Sequence, residues 1–266
     1  MEQNLVKRAF KNIKIHSRPL KPRETGITML CDLGYGVHEQ RDILDLAAPF
    51  IDIAKIATGI AGTISEENTR KKISTYREYQ VESFLGGMFL EYAIFHQGMD
   101  IAKYYFEEHQ RLGLKLIEIS DNNLDIKPED KFNLIRTANE EFGLRVLGEV
   151  GTKSEVTTVH GLVEDIKVCL SAGSWKVFVE AAELTDKSDG SILTDIIEGI
   201  QKEVGINDII FELSGPWISN FHHFQNYILM NFLIDTFGPE VNIANVKSEI
   251  LLPLEMLRNG LDRKIK

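Results

Sequence analysis

A single (β/α)8 TIM barrel is the fold class this sequence predicts, and three observations carry it. Eight short strand-like runs recur along the chain, longer runs with helical apolar spacing lie between them, and 266 residues suit one such barrel. The competing arrangement is an open doubly wound sheet, but no GxGxxG follows the first strand.

The strands are expected at "ITMLCD" (27–32), "DIAKI" (52–56), "ESFL" (82–85), "KLIEIS" (115–120), "LRVLGEV" (144–150), "WKVFVEA" (175–181), "DIIFEL" (208–213) and "VNIANV" (241–246). Helical spacing fills the gaps. Val159, Leu162, Val163, Ile166 and Cys169 fall at i, i+3, i+4 and i+7, as do Leu193, Ile196, Ile197, Ile200 and Val204, and finally Ile250, Leu254, Leu257 and Leu261. Gly113, Gly143, Gly173 and Gly205 each stand where a helix should stop. The count is about eight helices in alternation with eight strands. No Pro/Gly/Ser-rich linker divides the chain. Residues 1–25, with Lys7, Arg8, Lys11, Lys14, Arg18, Lys21 and Arg23, form a basic, polar leader expected outside one barrel domain over 26–266.

Composition narrows the function. Hydrophobic residues at 43% and charged residues at 26% are ordinary for a soluble globular protein. A net charge of −10 argues against a nucleic-acid surface, yet a few local cations still allow a small anionic substrate. Cys31 and Cys169 read as buried reduced thiols, with no local metal spacing. No signal peptide and no apolar run of membrane-spanning length is present, so the expected compartment is the cytoplasm, with no membrane partner. A homo-oligomer is expected.

The segment "LRVLGEVGTKSE" (144–155) starts as a buried strand and ends in a carboxylate and an amine. Alone, that is a surface loop. Other strands end the same way: Asp32, Lys55, Glu118 with Asp121, Glu149 with Lys153, Glu180, Glu212, and Asn242 with Asn245, while Glu91 follows Gly86 and Gly87. In a barrel the site forms at the carboxyl ends of the strands. A ring of carboxylates there, with at least two lysines, suits Mg2+ and an anionic substrate. Asp32 and Asp121 equally suit turns, and Glu118, between Ile117 and Ile119, faces either the interior or the helices. His222 and His223, flanked by Phe221 and Phe224, read as packing rather than a metal site.

Six blocks, "KPRETGITMLCDLGYG", "FIDIAKIATG", "FLGGMFLE", "LIEISDNNLDI", "LGEVGTK" and "GPEVNIANV…LLPLEMLRNGL", resemble in order the phosphosulfolactate synthases, from about Lys21 to Leu261. A plant heat-tolerance protein is also similar. The resemblance implies a (β/α)8 barrel that adds sulfite to phosphoenolpyruvate in a Mg2+-dependent step of coenzyme M biosynthesis. It implies that Lys153 is the general acid and that Lys55 is the lysine closing the second strand. On this reading Lys153, Lys55 and Glu149 are catalytic. Asp32, Glu118, Glu180 and Glu212 hold the metal, while Asn242, Asn245, Asp121 and Arg23 meet the substrate.

Three segments depart from the family pattern. "IATGIAGT" stands where Gly-Trp-Gly-Thr is usual after Lys55. "VEAAELTD" keeps Glu180 and Glu183, but Ala182 replaces the arginine of Glu-x-Arg-Glu-Ser-Gly. "ELSGPWISNFHHFQ" replaces a segment containing a lysine after the seventh strand. An arginine and a lysine suited to a phosphate or sulfonate are thus missing. A changed carboxylate substrate, or a non-catalytic stress-protective role, is the alternative.

Overall fold

In the computed structural model, residues 9–10, 12–15, 18–151, 158–186, 188–215 and 223–261 are described. The elements in chain order are β1 (Thr28–Asp32), α1 (Val37–Ala47), β2 (Ile53–Ile56), α2 (Glu66–Glu78), β3 (Glu82–Leu85), α3 (Met88–Gln97) and α4 (Ile101–Leu112). There follow β4 (Leu116–Ile119), α5 (Pro128–Glu140), β5 (Arg145–Val150), α6 (Val159–Ser171), β6 (Ser174–Val179) and α7 (Thr194–Glu203). The last four are β7 (Ile209–Glu212), α8 (His223–Phe237), β8 (Ile243–Val246) and α9 (Ser248–Arg258). The alternation holds with one difference. Two helices follow β3, because Gly98 at φ +83° breaks the helical run between α3 and α4.

All strand pairs are parallel, in the order β3-β2-β1-β8-β7-β6-β5-β4. That order is a (β/α)8 barrel nearly closed on itself. At the β3/β4 seam side chains take over from the backbone ladder. The Gly87 N–H, just beyond β3, donates to Glu118 Oε2 of β4 at 2.6 Å, and Arg145 of β5 pairs with Glu82 of β3.

Strands covered on both sides need two apolar faces, and the structure sorts them. Leu30, Ile56, Ile117, Val146, Val177, Ile209 and Ile243 pack outward among helix residues such as Ile135, Leu162 and Ile197. Inward, Met29, Ile53, Phe84, Leu116, Leu147, Phe178, Ile210 and Ala244 supply one residue from each strand, with Ile27 beside them. This apolar plug fills the barrel below its carboxyl end. Phe84 and Phe178 stack within it, centroids 6.2 Å apart. The eighth strand is irregular: Thr28 faces Ile243 and Leu30 faces Val246, so β8 carries one extra residue, and Asn245 takes φ +56°.

Residues from Arg18 onward are tied to the amino end of the barrel. Arg18 pairs with Glu255, and the Lys21 ammonium donates to the carbonyls of Ala48 and Ile51 at 2.9 and 2.7 Å. Among the described residues no helix is long and apolar enough to cross a membrane.

Candidate active site

Side chains alternate along a strand, so on a regular strand the residue two positions after a plug residue also points inward. Two beyond Ile53, Leu116, Leu147, Phe178 and Ile210 stand Lys55, Glu118, Glu149, Glu180 and Glu212, all buried. The interior thus passes in one step from hydrocarbon to charge. The Lys55 ammonium lies 2.6 Å from Glu118 Oε1 and 3.0 Å from Glu212 Oε1, and 4.9 Å from the Phe178 ring centroid beneath it. Ligand oxygens of Glu118, Glu149 and Glu212 all lie within 4.8 Å of one another. Glu180 accepts from the Ala181 N–H at 3.1 Å and from Asn122 Nδ2 at 3.3 Å.

A second layer fixes this set. Gly87 must be glycine: a Cβ there would sit 2.4 Å from Ser120 Oγ and 3.2 Å from Glu118 Cγ, where the backbone N–H now meets the carboxylate. Glu91 of α3 accepts from the Ser120 hydroxyl and from the Asn123 N–H, the latter at 2.7 Å. Thr58, just past β2, holds φ +50°, an unfavourable conformation for a β-branched residue and one that favours strain at a functional site. The free space bounded by Lys55, Glu91, Glu118, Glu149, Glu180 and Glu212 is about 30 Å³, room for roughly one water-sized group.

Burial opposes the Lys55 charge, but the fields of Glu118, Glu212 and Glu149 outweigh it and lift its pKa well above that of a free lysine. Burial pushes Glu118 up to about 7 against the pull of Lys55. It raises Glu212 as well, again opposed by Lys55 and reinforced by Glu149, Glu180 and Glu118. Among the described residues, the Lys55 ammonium therefore faces more carboxylate groups than it balances. Three buried carboxylates of this spacing are hard oxygen donors, a set that fits a divalent cation.

The strand-end residues named from the sequence fall into two groups. Lys55, Glu118, Glu149, Glu180 and Glu212 come together at the pocket. Asp32 does not. It follows Cys31 and so points outward, where Lys72 and the Tyr76 hydroxyl of α2 each contact Oδ2 at 2.7 Å and the N–H groups of Gly34 and Tyr35 donate to Oδ1. Its carboxylate is thus held against α2 and the β1–α1 turn and is not brought to the pocket with the others.

Arg23 and Asn242 sit at the opposite end of the barrel. The Arg23 guanidinium binds Asp52 and the carbonyls of Pro19 and Pro49, while Asn242 bridges the Ile27 N–H to the carbonyls of Asn207 and Ile209. Both fasten the amino ends of strands rather than meeting a substrate at the carboxyl ends. Asp121 lies at the correct end but is held by Lys131, which also donates to the Glu149 carbonyl at 2.6 Å. Lys131 has no sequence signal beyond an ordinary first-turn helix lysine. Asn245 is 2% exposed, and neither its amide oxygen nor its nitrogen has a hydrogen-bond partner among the described residues. Lys153, His222 and the His223 side chain lie outside the described residues.

Fold and site together define a (β/α)8 barrel whose carboxyl-end pocket is lined by buried carboxylates around one lysine. The family model described as (2R)-phospho-3-sulfolactate synthase (ComA) matches residues 16–263, and the chain belongs to that family. It is 30% identical to the phosphosulfolactate synthase of Methanothermobacter thermautotrophicus over 250 residues, covering 91% of each chain. It is 30% identical to that of Bacillus subtilis over 266 residues, covering 94% of this chain and 96% of the relative. In fold alone it is similar to 3-hexulose-6-phosphate synthase from Salmonella typhimurium, at 12% identity and a TM-score of 0.55 over 88% of this chain and 95% of that one. A truncated 3-deoxy-D-arabino-heptulosonate 7-phosphate synthase from Thermotoga maritima gives a TM-score of 0.57 at 14% identity, covering 88% of each chain.

Proposed function

We propose that this chain is a lyase-type enzyme adding sulfite, or a related nucleophile, to phosphoenolpyruvate or a similar unsaturated acid with the help of Mg2+. The observation that carries this reading is the Glu118, Glu149 and Glu212 cluster, with Lys55 between two of its members. Membership of the family supports the reaction type. Bound to the three glutamates, Mg2+ would supply positive charge where the substrate carboxylate gains negative charge.

The chain's own groups have separate tasks. Lys55 stays protonated, offsets the repulsion among the carboxylates and aims Glu118 and Glu212. Glu180 fixes the turn after β6 through the Ala181 N–H. Asn245 offers a buried donor and acceptor at the end of β8, close to where barrels of this type bind phosphate. Lys153 is assigned as general acid on its match to the family lysine. The deciding assay is formation of a phosphate-containing sulfonate from sulfite and phosphoenolpyruvate, with and without Mg2+. No product under either condition overturns the named reaction.

Protonation gives a second test. A free glutamate is ionised above about 4.5, whereas folded Glu118 keeps its proton up to about 7. The folded state therefore binds more protons in that window, and stability without metal falls as the pH rises through it. Mg2+ requires the ionised form. Release of one proton with a pKa of about 7 makes Mg2+ affinity roughly tenfold weaker at pH 6 than at pH 8. Calorimetric titration at both pH values checks this, and equal affinities would count against Glu118 as a ligand.

A different carboxylate substrate remains the second reading, favoured by Ala182. This residue is 2% exposed in the 3₁₀ turn after β6, at the position of the family arginine. An alanine there offers no fork of donors to a phosphate or sulfonate. Loss of one charge-assisted contact costs about 1.5–3 kcal/mol, roughly tenfold to a hundredfold in affinity. Ala182→Arg is expected to tighten phosphoenolpyruvate binding by at least about tenfold, provided its thermal midpoint shows that the arginine is accommodated. Tight binding by the natural chain, unimproved by the arginine, would mean that the pocket already holds phosphate.

A further inference from the structure

The last strand departs from the alternation of the others, and the departure decides where the residue after it points. From the pair Thr28 and Ile243 to the pair Leu30 and Val246, β1 advances two residues and β8 three. Asn245, at φ +56°, stands within that longer step. Ala244 belongs to the inward plug. On a regular strand Val246 would face inward with it, and Lys247 would face the helices. The extra residue reverses this. Val246 packs in the outer core, as its ladder partner Leu30 does. The backbone at Lys247 is extended, at φ −79° and ψ 158°, so the next side chain falls on the opposite, inward face. One step past Leu30 on β1 stands Cys31, which lies level with Lys55 of β2. Bulges beside active sites re-aim side chains in this way.

The group brought to the mouth is an unmatched cation. Lys247 is half-buried, and among the described residues it makes no hydrogen bond or ion pair. Lys55, Lys72 and Lys131, by contrast, each meet a carboxylate at or beside a strand end. An anionic substrate needs such a free charge. Glu118, Glu149 and Glu212 suit a cation, and through it a substrate carboxylate, but Lys55 is taken up by two of them. Ala182 leaves the β6 side of the mouth without the arginine of the family pattern. We propose that Lys247 binds the phosphate of the substrate from the β8 side, in place of that arginine. The assignment rests on the proposed reaction and specifies which residue holds the phosphate in it. Barrels of this class commonly hold a phosphate beside strands seven and eight. An ammonium is a point charge where a guanidinium offers a planar fork, so Ala182→Arg would still add contacts to it.

The test is calorimetric titration of phosphoenolpyruvate, and of pyruvate, which lacks the phosphate, into the Mg2+-loaded full chain. Lys247→Met should weaken phosphoenolpyruvate binding roughly tenfold to a hundredfold. Its affinities for pyruvate and for Mg2+ should not change. Lys247→Arg, which keeps the charge, should retain most of the natural affinity. Should Lys247→Met not fold, Lys247→Gln serves in the same titration. Lys127, also unpaired, is exposed at the start of α5, and Lys127→Met should change neither ligand. Full phosphoenolpyruvate affinity in Lys247→Met would overturn the proposal. So would an equal loss for both ligands, or an equal loss in Lys127→Met, since either means a general effect rather than a phosphate contact. No phosphoenolpyruvate binding by the natural chain, with Mg2+ still bound, would also overturn it and leave the glutamates as a metal site. No Mg2+ binding at all would remove the proposed function and this assignment with it.

Discussion

Lys55→Met is expected to destabilise the chain by about 3–5 kcal/mol at pH 8, the usual range when one partner of a buried ion pair is removed. Methionine keeps the length and apolar stem of lysine, so packing on Phe178 is largely retained and the loss is electrostatic. Without the ammonium, Glu118, Glu149 and Glu212 would face one another at less than 4.8 Å with no cation present. The carboxylates have one way out, which is to take up protons. As the pH falls from 8 towards 5 the carboxylates take up protons, Glu118 more readily in the variant than beside Lys55, whose charge opposes its protonation, and the penalty should shrink. Urea denaturation of both proteins at pH 8 and pH 5 measures this directly. A loss below about 1 kcal/mol at pH 8, as for an exposed pair, would mean that Lys55 does not balance the cluster. Mg2+ at saturating concentration should restore part of the lost stability, because a divalent cation can replace the missing charge.

The barrel itself is readable from the chain because its strands are short apolar runs and its helices keep a long apolar period. The division into two helices after β3 is harder to read: "MFLEYAIFHQ" of α3 has apolar residues on every side, and its break from α4 rests on Gly98. At the site, the limit is one of faces. A strand covered on both sides has two apolar faces, so its sequence does not say which one looks inward. Asp32 and Glu118 look alike on paper, yet one turns to α2 and the other to Lys55. Once one inward residue is known, position i+2 separates them, and that rule picks out Lys55, Glu118, Glu149, Glu180 and Glu212 together. Arg23 and Asn242 come before their strands begin, which in a barrel is the stabilising end. The buried amide of Asn245, without a partner among the described residues, depends on contacts between distant segments, which no local pattern encodes.

Lys153→Ala is expected to lower turnover of sulfite and phosphoenolpyruvate by roughly 10²–10⁴-fold, the usual contribution of a general acid, with the thermal midpoint unchanged. When sulfite forms its bond to the methylene carbon, the electrons of the double bond move towards the carboxylate, and the neighbouring carbon must then take a proton. Lys55 is a poor source, because Glu118 and Glu212 at 2.6 and 3.0 Å hold its proton more firmly than water does. Glu118 is no better, since it must be ionised to hold a cation. On the proposed reaction Lys153, four residues after Glu149 in the chain, is taken as the acid because it matches the family lysine. A lysine acid also predicts a pH profile in which kcat falls at high pH as the ammonium is lost. In the variant that limb should disappear while the residual rate stays low at every pH. Turnover equal to the natural chain, or an unchanged high-pH limb, would move the proton to another donor and leave the carboxylate cluster as the part of the assignment that stands.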